Sequence, residues 1–205
     1  MADERVIYLM KGTLVGLSAG FIVSLFRLGI EFILETVIEG YHFMQEQPIW
    51  LIPWVIFSVT AALIVGKLVK SEPNIKGSGI PQVEGQVQGL ISLNWWPVLW
   101  KKFIGGLLAI GSGLFLGREG PSIQLGSAVG QGISNLTKGD DVEEKILLSS
   151  GAGAGLAAAF NAPLAGLMFV LEEVHHNFSP LLAITTFSSA LVANFVSLNI
   201  FGLTP

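Results

Sequence analysis

Of the 205 residues, 51% are hydrophobic and only 13% are charged, about half the charged share of an ordinary soluble domain. Polar surface this scarce cannot coat a water-exposed globule, so lipid must replace water over much of the outside. A net charge of −4 excludes the basic stripe that a nucleic-acid partner would need. The absence of Cys excludes disulfides, thiolate metal sites and a Cys nucleophile.

A helix needs roughly 20 apolar residues to cross a bilayer core of about 30 Å. The first run, residues 6–30, meets that length and has no small-residue cleavage site behind it, so it reads as a retained span and not a signal peptide. Gly12, Gly16 and Gly20 repeat within it every four residues, as do Gly113/Gly117, Gly126/Gly130 and Gly151/Gly155 further on. Small faces of this kind let helices approach closely in lipid and predict a tightly packed bundle. Arg27 falls inside the run, and Glu31, one turn later, is its expected partner. Residues 49–69 form a second full span.

Next comes Gly77-Ser78-Gly79-Ile80-Pro81, followed by an apolar stretch, residues 82–90, barely two turns long. The spacing predicts a re-entrant helix starting at or just after Pro81, since proline suits the first helical position. Glycines there leave backbone N–H groups approachable, the Ser78 hydroxyl adds a donor, and the helix dipole favours an anion. Taken alone, such a turn is most often an ordinary capping loop.

Residues 103–116 and 122–136 are each too short to cross, and only Gly117-Arg118-Glu119-Gly120-Pro121 separates them. They read as one discontinuous helix broken at mid-membrane. Pro121 repeats the helix-opening design, with the Glu119 carboxylate just ahead of it. In a soluble protein Glu119 would be a capping acid with Arg118 as counter-ion. Between two apolar half-spans an ionisable residue is functional by default. A tethered carboxylate at an anion site competes for that site when ionised and swings away when protonated, which couples a proton to an anion.

Residues 146–171 form a further span containing Gly151-Ala152-Gly153-Ala154-Gly155 and an interruption at Asn161-Ala162-Pro163. It ends at Glu172-Glu173. Neighbouring helical residues point about 100° apart, so only one of the two acids need face inward, and on the residues alone both mark the membrane boundary. Residues 181–203 complete five crossings. With the N-terminus inside, Arg5, Lys11, Lys67, Lys70, Lys76, Lys101 and Lys102 lie on the cytoplasmic side, against Lys138 and Lys145 in outer loops. That bias predicts a multi-pass protein of the cell membrane with a cytoplasmic N-terminus. No phosphate loop and no zinc helix is present, and His175 and His176 lack a third ligand. Neither an enzyme nor a metal site is expected.

The Gly-Ser-Gly-Ile-Pro, Gly-Arg-Glu-Gly-Pro and Phe-Asn-Ala-Pro-Leu-Ala-Gly segments, the last leading to Glu-Glu, occur here in this order. The chain thereby resembles the CLC chloride channel and transporter family from about Gly12 onward. The resemblance implies an all-α membrane fold with discontinuous and re-entrant helices, of which residues 1–205, one transmembrane domain, are one inverted-repeat half. It implies that Ser78 coordinates a central chloride with backbone N–H groups near Gly79, Ile80 and Gly120. Glu119 would be the gate and, with Glu173, a proton-transfer residue. Serine at position 78 resembles chloride-preferring members, where nitrate-preferring ones carry proline. Arginine before Glu119 speaks against the fluoride-exporting branch.

In the family a second half supplies a Phe and a Tyr to the same chloride, and nothing here corresponds to them. The expectation is therefore half of a chloride/proton antiporter, as a truncated or split form or as a natural half. Its expected partners are chloride, protons, the lipid bilayer and either a complementary half or another copy. No cofactor is expected beyond chloride as ligand. Half of a passive chloride channel, which Glu173 speaks against, and a non-conducting assembly unit are the alternatives.

Overall fold

The computed structural model describes residues 2–114 and 116–203, all of them helix or connecting turn, with no strand among them. A 45-residue helix, α1 (Ala2–Glu46), opens the chain. Val15, Ala19, Val23, Phe26 and Ile30 are buried on one side, while Leu14, Leu17, Phe21 and Leu25 are exposed on the other. Spacings of three and four residues make that a single buried seam. A 3-10 turn at Pro48–Trp50 leads into α2 (Leu51–Ser71). Tyr41 on α1 packs edge-on against Trp54 on α2, so α2 runs back along α1. Within α2 only Ala61 is buried; Ile56, Phe57, Val59 and Leu63 remain exposed, a lipid-facing pattern.

The short α3 (Ile80–Val87) follows, then α4 (Trp95–Gly111), whose first turn is capped by the Asn94 side chain accepting from the Trp96 N–H. Next are α5 (Glu119–Thr137), α6 (Asp141–Phe160), α7 (Pro163–Phe169) with a π turn at Val170–Val174, and α8 (Pro180–Phe195) with another at Val196–Ile200. Gly12, Gly16 and Gly20 of α1 abut Thr185, Ser189 and Ala193 of α8 in the same order, so these two helices are parallel. In α5 every residue from Gly120 to Ser134 is buried, which makes it the centre of the bundle.

Two expectations about crossings are corrected. The segments flanking Gly117–Pro121 are two helices of opposite direction, 17 and 19 residues long, and not halves of one crossing. Phe26 and Ile33 of α1 meet Gly106 and Gly111 of α4, which is therefore parallel to α1; Trp95 at the start of α4 meets Gly132 near the end of α5. Gly113, at φ 87°, lets the chain leave the helix and turn. Likewise residues 146–171 are not one span. Asn161, at φ 56°, ends α6, and α7 returns antiparallel, Gly166 against Gly153. Seven segments (α1, α2, α4–α8) thus alternate in direction, where five crossings were expected.

The reversal relocates two charges. Lys11 pairs with Glu143, and His175 meets Ser149 Oγ at 2.7 Å, so the α5–α6 turn lies at the same end as the start of α1. Lys138 and Lys145 are therefore not on the side opposite Lys11. The physical reason lies in α4 and α5, whose Lys102, Gln124 and Gln131 are buried against protein. These polar positions shorten the apolar runs without shortening the helices. Only Pro48–Ser71 and Pro180–Ile200 are both long and apolar enough to cross by composition among the described residues.

Candidate anion site

The turn before α3 is built from glycines for a steric reason. Gly77 and Gly79 have φ of 71° and 95°, in the left-handed region that costs other L-residues about 1–2 kcal/mol. Gly79 is the cap of α3, and Pro81 occupies the first turn, where no N–H is required. The Ile80 N–H points back towards the Ser78 hydroxyl oxygen at 3.4 Å. Gln124 of α5 packs against Gly79 so closely that a β-carbon there would lie 2.5 Å from Oε1.

A second helix start faces the first. Arg118 caps α5, Glu119 and Gly120 are its opening residues, and Pro121 lies in its first turn. A β-carbon on Gly120 would lie 2.7 Å from Ser78 Cβ, so the two turns are in contact. The positive ends of two helix dipoles therefore converge where Ser78, Gly79, Ile80, Glu119 and Gly120 come together. A cavity of about 490 Å³ opens beside them, lined by Ser78, Glu119, Gly120, Lys76, Lys102 and Gly106 among others. Glu119 is half-buried, with its carboxylate folded against Gly117.

Arg118 is drawn away from Glu119 by Glu31 of α1, at 2.9 Å. Glu31 was expected to serve Arg27. It stands 4.0 Å from the Arg27 Nε, while Arg27, 2% exposed, donates from Nη1 to the Ala158 carbonyl at 3.1 Å. One carboxylate is thus shared by two guanidiniums near the middle of α1.

Glu173 is not part of this cluster. With Glu172 it is exposed on the π turn after α7, at the end of the bundle where α1 begins. Next to it, burial and then Lys145 push the His175 imidazole below its ordinary value. Of the two acids, neither is desolvated by this chain.

The burial of one cavity residue, Lys102, and of Gln124, which packs on Gly79, was not read from the sequence. Lys102 was placed with Lys101 at the membrane edge, yet it is 4% exposed and donates to the Ile75 and Gly77 carbonyls at 2.9 and 2.7 Å. Gln124, 2% exposed, donates to the Asn74 carbonyl at 2.8 Å. The Asn94 cap ahead of Trp95-Trp96-Pro97 was the available signal, since it starts α4 a full two turns before Lys102.

The family model described as voltage gated chloride channel matches residues 60–205. The H(+)/Cl(-) exchange transporter ClcA of Vibrio parahaemolyticus is 42% identical over 194 residues, covering 92% of this chain and 41% of that protein. The ClcA of Cronobacter sakazakii is 38% identical over 186 residues, covering 87% and 40%. A slow cyanobacterial Cl−/H+ antiporter of known structure superposes with TM-score 0.86 at 34% identity, covering 96% of this chain and 47% of that one. A eukaryotic CLC transporter shares the fold, with TM-score 0.78 at 21% identity and 98% and 39% covered. The chain spans less than half the length of these relatives. The chain belongs to the CLC family of voltage gated chloride channels and transporters.

Proposed function

We propose that this chain supplies the chloride-binding and gating half of a chloride/proton antiporter. The observation that carries the reading is the meeting of two helix starts at one cavity, with Ser78 on one and the Glu119 carboxylate on the other. Backbone N–H groups and helix dipoles favour a small anion there without a full counter-charge. The carboxylate, occupying the same field, is a competitor that protonation removes. Ser78, Gly79, Ile80 and Gly120 hold the ion; Glu119 gates it and carries the proton at the cavity. The relatives named as H(+)/Cl(-) exchangers support the substrates. The test is whether a chloride gradient drives protons uphill into liposomes containing the assembled transporter. Chloride flux without proton movement would favour a passive channel and overturn the antiporter reading.

Glu173 is assigned the proton entry by the same resemblance. Being exposed on this chain, it meets water directly and loads protons without crossing the anion path. Glu173→Gln is expected to abolish proton coupling while chloride movement persists, and Glu172→Gln to leave coupling largely intact. Simultaneous chloride and proton fluxes decide; normal coupling in Glu173→Gln would remove it from the pathway.

The orientation follows from charge. Eight of the eleven Lys and Arg residues, all but Arg27, Lys102 and Arg118, are assigned to the end where α1 begins, which is accordingly read as cytoplasmic. Because the chain has no Cys, single-Cys variants report cleanly. In intact cells an impermeant maleimide should label Gln47→Cys and spare Lys138→Cys. Comparable labelling of both would mean dual insertion.

A further inference from the structure

We propose that Lys102 and Gln124 are positioning residues that give the Ser78 turn its preference for anions, by engaging its carbonyl oxygens. The proposal rests on the reading of the adjoining cavity as an anion site. A peptide turn is electrically ambivalent, since each residue brings a donor and an acceptor. A site for chloride must present donors and keep the acceptors engaged. In the segment leading to Ser78, three carbonyls are engaged by buried side chains: Asn74 by Gln124, and Ile75 and Gly77 by Lys102, at 2.8, 2.9 and 2.7 Å. The two donors come from α5 and α4, on either side of the turn, and are 2% and 4% exposed. With the carbonyls fixed, the left-handed backbone at Gly77 and Gly79 is held in one conformation. That conformation sets the start of α3, where the Ile80 N–H lies 3.4 Å from the Ser78 Oγ, and so fixes the hydroxyl that lines the cavity.

Lys102 does more than hold the turn. It lines the cavity, and among the described residues no carboxylate lies within ion-pair distance of its Nζ. A buried charge in a membrane protein pairs with another charge or with backbone carbonyls, and Lys102 has the Ile75 and Gly77 carbonyls. Here the nearest neutralising charge is whatever anion occupies the cavity, whether chloride or the Glu119 carboxylate. Loss of the ammonium should therefore weaken anion binding specifically, and not simply slow transport.

The experiment uses the assembled transporter in liposomes, with chloride concentration varied and chloride compared with nitrate and thiocyanate. Lys102→Met is expected to raise the half-saturating chloride about tenfold to a hundredfold, the range of one charged hydrogen-bonding group. Maximal flux should fall less than about threefold on the same grounds. Selectivity should shift towards thiocyanate, because a weaker field no longer offsets the dehydration of chloride. Lys102→Arg, which keeps the charge, should recover most of the affinity. Gln124→Leu, which frees one carbonyl and removes no charge, should give a smaller change in the same direction. Unchanged half-saturation and selectivity in Lys102→Met would overturn the proposal, as would a loss of maximal flux alone. If Lys102→Met does not fold, Gln124→Leu decides by the same readout, with unchanged chloride dependence counting against the proposal. If the unaltered protein neither binds nor moves chloride, the anion reading of the cavity itself fails, separately from the roles of Lys102 and Gln124.

Discussion

Glu119→Gln is expected to abolish proton movement and leave chloride movement intact. The side chain opens α5, where the N-terminal N–H groups and the dipole stabilise a negative charge. It also lines the cavity that Ser78 lines from the other turn. An ionised Glu119 and a chloride ion thus seek the same field, and only one can be satisfied at a time. Protonation discharges the carboxyl and releases the field to the anion. Glutamine keeps the shape and hydrogen-bonding reach of the protonated acid but cannot lose or gain the proton. Chloride then passes without a counter-transported proton, and its flux should lose its dependence on pH. The coupled proton flux should drop at least about a hundredfold, the scale on which a proton-transferring side chain contributes. Chloride-driven acidification or alkalinisation of liposomes is the measurement, with isotopic chloride uptake alongside. Proton pumping at the unaltered rate in Glu119→Gln would dismiss Glu119 as the gate.

The parts of this site that were legible in the sequence are those in which backbone geometry forces the choice of residue. Gly77, Gly79 and Pro81 announce a left-handed turn and a helix start because few other residues fit. Gly120 is constrained by contact instead, since a β-carbon there would overlap Ser78, and Pro121 lies in the first turn of α5. The crossings were less legible because apolar length is a proxy that fails when a helix is sheathed by other helices. The buried Lys102 of α4 and Gln131 of α5 look like interruptions, yet each is satisfied inside the bundle, Gln131 by the Leu93 carbonyl at 2.9 Å and Glu144 at 3.0 Å. Tertiary partners of that kind cannot be read from local pattern. Misjudging α4 and α5 as one crossing placed Lys138 and Lys145 on the wrong side; the corrected positions strengthen the charge bias from which the orientation was argued. Arg118 met a similar fate. Its partner, Glu31, lies 87 residues away, beyond any helical spacing rule.

Gly126→Val is expected to prevent the bundle from assembling, and the reason is the crossing of α5 and α6. Gly126 faces the backbone of Gly151 and Gly155, Gly151 faces the Gly126 carbonyl in return, and Gly130 faces the Leu147 carbonyl. At each position a β-carbon would overlap backbone and not a side chain that could rotate aside. The helices would have to separate, and α5 has no free side on which to yield, since it is buried from Gly120 to Ser134. In lipid no hydrophobic force pushes separated helices back together, because association there depends on close packing. Overpacking of a core ordinarily costs about 1–3 kcal/mol, and a rigid backbone contact belongs at or beyond the upper end of that range. Gly66, with nothing within 4 Å of its would-be β-carbon, provides the control. Gly66→Ala should be neutral or stabilising by up to about 1 kcal/mol through better helix propensity. Thermal stability in detergent, read by the loss of the monodisperse species on heating, separates the two. A Gly126→Val protein that melts with the unaltered one would show that the crossing tolerates a wider gap. Failure of Gly126→Val to yield any folded species would agree with the packing. It would also carry a functional consequence, because α5 brings Glu119 to the cavity and Gln124 to the Gly79 turn and cannot move without displacing both.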